Sequence, residues 1–188
     1  IGSSLASRKI NVGEKLILEG SITSNLESNS TVVDTVWSSA SLFPLQESAA
    51  ALSPVSGSIV VAGGQTITIQ LSLDTTQWSA GLTYSFRLSA SFASLTTQGY
   101  TSIDIPVNAA PYGGDITVTP DTGSALYTPF TMITSSWNDD SADLPFYYAF
   151  SYYVLDDLNS RMVKSFDPIN TVDSILGEGL DSQDFKVF

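Results

Sequence analysis

The residues best suited to chemistry in this chain are the aspartates of "WNDDSADLP", where Asp139, Asp140 and Asp143 crowd a single turn. Clustered carboxylates in a loop offer hard oxygen ligands, and calcium binding is the chemistry they suit. Their spacing is not that of an EF-hand loop, and aspartates populate solvated turns freely. A plain acidic turn is therefore the simpler reading, and a calcium site the sharper one. The pairs Asp156–Asp157 and Asp181 with Asp184 read the same way. Asn29 opens "NST", the one N-x-[ST] sequon, which would accept a glycan on a eukaryotic-type secretory route. The abundant serines and threonines are further candidates for O-linked sugars. In "PFYYAFSYYV", Phe146, Tyr148, Phe150 and Tyr152 alternate with Tyr147 and Tyr153 on the opposite face. One face must be core. Tyr147 and Tyr153 are then candidates for an intermolecular or sugar-facing contact, because tyrosine suits a surface that is wet on one side.

Catalytic chemistry finds little to work with. The chain has no histidine and no cysteine, which excludes an ordinary serine triad, a thiol nucleophile and a cysteine–histidine zinc cluster. No G-x-S-x-G elbow or phosphate-binding glycine loop occurs. Paired carboxylates could cleave sugars, but these aspartates sit in turns with no hydrophobic pocket to raise one pKa. We expect no enzyme. An internal amide crosslink, as in some bacterial pilin domains, would need Lys15, Lys164 or Lys186 buried beside a carboxylate.

Composition narrows the partners. Seven basic residues against 19 acidic ones leave a formal charge of -12, which works against nucleic acid and anionic lipid, since both need clustered lysine and arginine. With 43% hydrophobic and only 14% charged residues, solubility rests on serine, threonine, asparagine and glutamine, a balance that suits an extracellular surface protein. The lack of cysteine leaves the compartment open by itself. No apolar run approaches the roughly 18 residues of a membrane helix, so this segment is expected not to enter a membrane. No signal-like segment precedes Ile1, and the expectation is a soluble processed chain or a piece of something longer.

Alternation with period two dominates the elements that must position these residues. It is clearest in "TITIQLSL", with Ile67, Ile69, Leu71 and Leu73 on one face, and in "LTYSFRLSASF", with Leu82, Tyr84, Phe86, Leu88, Ala90 and Phe92. Similar runs occur at "EKLILEGSI", "STVVDTVWSS", "GSIVVAGG", "TSIDIPV", "GDITVT", "TPFTMITSSW", "PFYYAFSYYV" and "RMVKSF", each bounded by turn formers. The best helical candidate, "LFPLQESAAALSP", is closed by Pro44 and Pro54 and reads as a loop with one helical turn. An all-β protein follows, of two tandem immunoglobulin- or fibronectin-III-like β-sandwiches. The break falls at "NAAPYGG", giving domains 1–108 and 109–188. The second is short, ends on a strand-like "DFKVF", and leaves room for an incomplete sandwich. Missing strands would then come from later sequence or from a neighbouring molecule. A neighbour's "SRKINVGEKLIL" is one candidate donor.

The spacing N-x-x-P-x-G-G, then V-x-P-x-x-G-x-A-L-x-T-x-F, then W-x-D, then L-P-x-Y-x-F is carried here by Asn108, Pro111, Gly113, Gly114, Val118, Pro120, Gly123, Ala125, Leu126, Thr128, Phe130, Trp137, Asp139, Leu144, Pro145, Tyr148 and Phe150. Over about residues 66 to 154 this resembles the REJ (receptor for egg jelly) module, also found in polycystins and protist surface proteins; "QLSLDTTQWSAGLTYSFRLSAS" looks like its preceding segment. Animal members usually carry a cysteine two residues after the second glycine and another three before the tryptophan, where this chain has Ile116 and Thr134. The stapling disulfide is lost, which favours a protist or microbial relative. The resemblance implies tandem sandwiches in the ectodomain of a surface protein, with the glycines and prolines shaping the corner between them and Trp137 plugging a core.

The functional expectation is a non-enzymatic extracellular or cell-surface structural and adhesive module, a glycoprotein if Asn29 is used, built into a stalk, filament or pilus-like fibre with strand exchange between subunits. Its partners would be copies of itself or neighbouring domains of a longer chain. The alternative is a ligand-recognition module of a receptor ectodomain, binding a glycan or depending on calcium.

Overall fold

The computed structural model describes residues 9–24, 30–42, 44–45, 48–92 and 98–188. Asn29 lies outside them. The chain divides after Ala109 into two compact units, each built of antiparallel strands. Among the described residues no α-helix forms, only short 3-10 turns such as Ser141–Asp143, Asp157–Asn159 and Asp181–Gln183. Among these residues no helix is long and apolar enough to cross a membrane.

The first unit contains β1 (Leu16–Thr23), β2 (Thr31–Ser39), β3 (Ser56–Val61), β4 (Thr66–Leu73), β5 (Thr83–Phe92) and β6 (Gln98–Pro106). One sheet is the pair β1–β4 and the other runs β3-β2-β5-β6. Alternation decides which side chains meet: β1 buries Leu16, Leu18 and Ile22 while exposing Ile17 and Glu19, and β2 buries Val33 and Trp37 while exposing Asp34 and Val36. Both sheets contribute to one core cluster, with Leu71 and Leu73 from β4 and Phe86, Leu88 and Ile105 from β5 and β6. Trp78, on the loop before β5, stacks on Tyr84 at 4.2 Å and lies 5.7 Å from Phe86. The expected face of β5 is buried from Tyr84 to Leu88, but Leu82 lies outside the strand and is exposed.

The second unit contains β7 (Asp115–Thr119), β8 (Pro129–Ser135), β9 (Tyr148–Tyr152), β10 (Arg161–Asp167) and β11 (Thr171–Ile175). A three-stranded sheet runs β11-β8-β7, and a two-stranded one pairs β10 with β9. Its core is small: Met132, Phe150 and Leu176 are buried, with Phe130, Tyr148, Tyr152, Val163, Val172 and Val187 packed against them.

Three expectations need correction here. Strand β11 is missed by sequence reading, because "TVDSI" holds only two apolar residues; it forms because β8 supplies a ladder, and Thr131 Oγ1 donates to Asp173 Oδ1 at 2.6 Å across it. The ending "DFKVF" is no strand, since Asp184 and Phe185 have positive φ. It nonetheless returns to the fold, as Tyr153 and Phe188 exchange both backbone hydrogen bonds at 2.8 Å and stack their rings. Finally, the proposed donor segment is already committed to its own unit: Ile10 bridges Val107, and Leu16 and Leu18 lie in the first unit's core. Donating it would strip those residues from that core.

Candidate functional site

The stretch from Tyr112 to Asn138 is organised around β7 and β8. Asp115 to Thr119 pair in unbroken register with Ser135 to Thr131. The same register recurs three residues outward, where Tyr112 and Asn138 exchange backbone hydrogen bonds at 3.0 and 2.9 Å. Between these pairings Gly113 turns at φ +74, a region that costs a side-chain-bearing residue strain. Gly114 is needed for a different reason. The Trp137 indole lies flat against its backbone, and a Cβ there would sit 2.0–2.5 Å from three ring atoms.

Trp137 therefore does not plug a core. It is 37% exposed, clamped between the Gly114 backbone and a hydrogen bond from its Nε1 to Thr134 Oγ1 at 2.7 Å. The Thr134 hydroxyl in turn donates to the Asp115 carbonyl at 2.7 Å. Ile116 and Thr134, the positions where the resemblance places a cysteine pair, face each other across the β7–β8 ladder. In this chain a threonine hydroxyl ties the strands at that point. In the next loop Thr128 Oγ1 accepts from the Ser124 backbone at 2.8 Å, and the Leu126 backbone donates to the Leu176 carbonyl at 3.0 Å.

The aspartate turn follows directly on Asn138. Carboxylate oxygens of Asp139, Asp140 and Asp143 lie within 4.8 Å of one another, with Asp139 and Asp143 half-buried and Asp140 exposed. Asp139 Oδ1 also accepts from the Asp140 backbone at 2.8 Å. Three carboxylates supply only part of the six to eight oxygens that calcium takes; backbone carbonyls and water would have to complete the shell. The faces of β9 fall as alternation requires, with Phe150 buried and Tyr148 and Tyr152 half-buried. Tyr147 is 59% exposed, whereas Tyr153 is half-buried by its stack on Phe188.

Lys164 is the cation that turns out to be well placed. Its side chain is only 13% exposed, with Nζ 2.7 Å from Asp167 Oδ1. Nζ donates as well to the carbonyls of Ile169 and Thr171 and lies over the Phe150 ring. The hydrogen bond from Lys164 holds the Asp167 carboxyl below its usual range, so the two stand as an ion pair closing the β10–β11 turn. A cavity of about 620 Å³ lies in the second unit. Phe130, Leu176 and Val187 line it together with Asp121, Glu178 and Asp184.

One surface of the second unit departs from the two-period rule. On β7 every residue is exposed, although Ile116 and Val118 share the face on which Met132 and Thr134 of β8 are buried. Ile116 is 62% exposed and Val118 38%. Apolar residues on the inward face of a strand are covered in a finished sheet. Among the described residues β7 is an edge with β8 as its one partner, and its inward side chains stay open.

A family model described as REJ domain matches residues 3–188. No curated protein matches the sequence. Among solved structures, red sea bream transglutaminase is 11% identical with a TM-score of 0.39; the match covers 92% of this chain but only 26% of that one. The pre-assembly complex of chaperone CsuC and tip adhesion subunit CsuE, from the archaic chaperone–usher Csu pili of Acinetobacter baumannii, is 14% identical with a TM-score of 0.31, covering 95% of this chain and 87% of that one. At these TM-scores neither neighbour bears on function.

Proposed function

The chain belongs to the REJ domain family, a family of non-catalytic receptor modules that are typically extracellular, and from that premise we propose that it is a structural and adhesive module of a surface protein. In this reading residues 1–108 and 109–188 are tandem immunoglobulin- or fibronectin-III-like sandwiches within a stalk or filament. The second is completed by a strand from a neighbouring subunit. The observation that carries it is the open inward face of β7, where Ile116 and Val118 stand exposed beside an unpaired strand edge. Such an edge is a template for β-strand addition. Tyr147, exposed before β9, and Tyr153, half-buried after it, are further contact candidates, and Asn29 would carry a glycan.

Light scattering of the purified chain across a concentration series, with calcium added or chelated, tests it. Growth into assemblies that persist under chelation is expected. A calcium-independent monomer at every concentration would remove the filament reading.

A second reading is favoured by the cavity of about 620 Å³ and the three clustered aspartates. It makes the chain a ligand-recognition module of a receptor ectodomain, taking a glycan in the cavity or calcium at Asp139, Asp140 and Asp143. It requires saturable binding of calcium or oligosaccharide by the monomer, lost for calcium in Asp143→Asn.

A further inference from the structure

Among the described residues the three-stranded sheet of the second unit ends on β7 and β11, and these two edges differ in whether they can meet a copy of themselves. Two identical strands pair antiparallel across a two-fold axis, and the register that keeps all five residues paired is centred on the middle one. For β11 that residue is Asp173. Two carboxylates would then stand directly opposite, which disfavours pairing. For β7 the middle residue is Thr117. Thr117 then faces its own copy, Ile116 faces Val118, and Asp115 faces Thr119. Each apolar residue meets a β-branched apolar partner on the inward side, threonine meets threonine on the other, and no like charges oppose each other. Such pairs are among those that stabilise a sheet. The flanks also fit, since one step beyond the strand Gly114 would face Pro120, so little bulk stands in the way.

Natural edges are usually blunted by lysine, proline within the strand or a bulge. β7 has none of these over Asp115–Thr119, and its pairing with β8 is regular throughout.

We propose that β7 is a homotypic docking edge: it pairs antiparallel with β7 of a second copy about Thr117, giving one six-stranded sheet in the order β11-β8-β7-β7-β8-β11. This rests on the self-association read above and names its partner strand. It also sharpens it, because a two-fold interface closes on itself and makes a dimer, so a fibre would need a second contact. Twelve of the 19 acidic residues but only three of the seven basic ones fall after Ala109. The second units of two copies therefore repel at long range, and salt must strengthen the pairing.

The absence of cysteine from the chain makes the register directly testable in the intact protein. Thr117→Cys should form a covalent dimer of twice 20.0 kDa on mild oxidation, because directly opposed Cβ atoms lie about 4.5–5.5 Å apart and need only a small shift to reach the roughly 3.5–4.5 Å of a disulfide; the rate should rise with salt, which screens the repulsion between the second units. Thr119→Cys, which would face Asp115, should crosslink at least tenfold more slowly. Equal rates for the two would overturn the register. In sedimentation, Ile116→Lys and Val118→Glu should each weaken dimerisation, and mixing the two should restore it, since Lys then faces Glu across one half of the pair. A variant that merely misfolds could not be rescued in this way, so absence of rescue overturns the proposal. The two readings fail separately. Open-ended assemblies indifferent to Ile116→Lys would keep the filament and sink the β7 pairing, whereas a closed dimer that these variants disrupt would keep the pairing and sink the filament.

Discussion

At the scale of single residues the glycine pair and the tryptophan form one device. Gly113 supplies the positive φ, and Gly114 supplies the flat floor on which Trp137 rests. Adding a methyl group at position 114 must lift the ring or bend the strand, at a cost of about 1–3 kcal/mol. Gly114→Ala should therefore destabilise the second unit in denaturant, while the same change in a Trp137→Ala background should cost much less, because the clash has gone. Additive effects would mean that the ring is not what the glycine accommodates. Asp167 offers a second test. Its carboxyl is held low, chiefly by the hydrogen bond from Lys164, so its folded pKa lies below the unfolded value of about 3.9. The contribution of the ion pair is then complete above that value and is lost as pH falls through the folded one. Asp167→Asn should sit below wild type in urea stability at neutral pH, and the gap should close in acid; a constant gap would exclude the linkage. The spacing of Gly113, Gly114 and Trp137 was visible in the sequence, but the contact of Gly114 with the Trp137 ring was not. A glycine has no side chain whose pattern could announce what lies against it.

At the scale of elements, alternation did most of the work of assignment. It marks the runs that become β1 to β10, and it correctly separates the Phe150 face of β9 from Tyr147. It fails at β11, where polar residues pair with β8 through hydrogen bonds rather than burial. It also misleads at β7, where the pattern reads as half-buried and the strand is exposed on both sides. Period two tells which residues share a face, but not whether anything covers that face. The element carrying the most weight in the second unit is β9, through Phe150. Phe150→Ala leaves a cavity in a core with only three buried apolar side chains and should cost about 3–5 kcal/mol. Ile116→Ser, on the open face of β7, should cost far less in a monomer. If chemical denaturation ranked these two alike, the exposure of β7 would be wrong.

At the scale of the whole molecule, the two units differ in how much apolar surface they bury. The first has a core drawn from both of its sheets and from the loops between them, whereas the second rests on Met132, Phe150 and Leu176. Since hydrophobic burial is the main favourable term in folding, calorimetry of the intact chain should resolve two transitions, with the second unit melting first. Phe150→Ala should lower only the earlier transition and Leu71→Ala, in the first unit's core, only the later one. A single transition moved by both would show the units folding as one. The tryptophans can report separately, Trp37 and Trp78 in the first unit and Trp137 in the second. The strand-only character, the family resemblance and the poverty of catalytic groups were legible from the residues alone, because these depend on residue type and local spacing. Which strand lies at an edge, which inward face stays open, that Lys164 lies over the Phe150 ring and that Ile116 and Thr134 form a cross-strand pair were decided only by tertiary structure. Sheet order joins residues far apart along the chain, and no local period encodes that order.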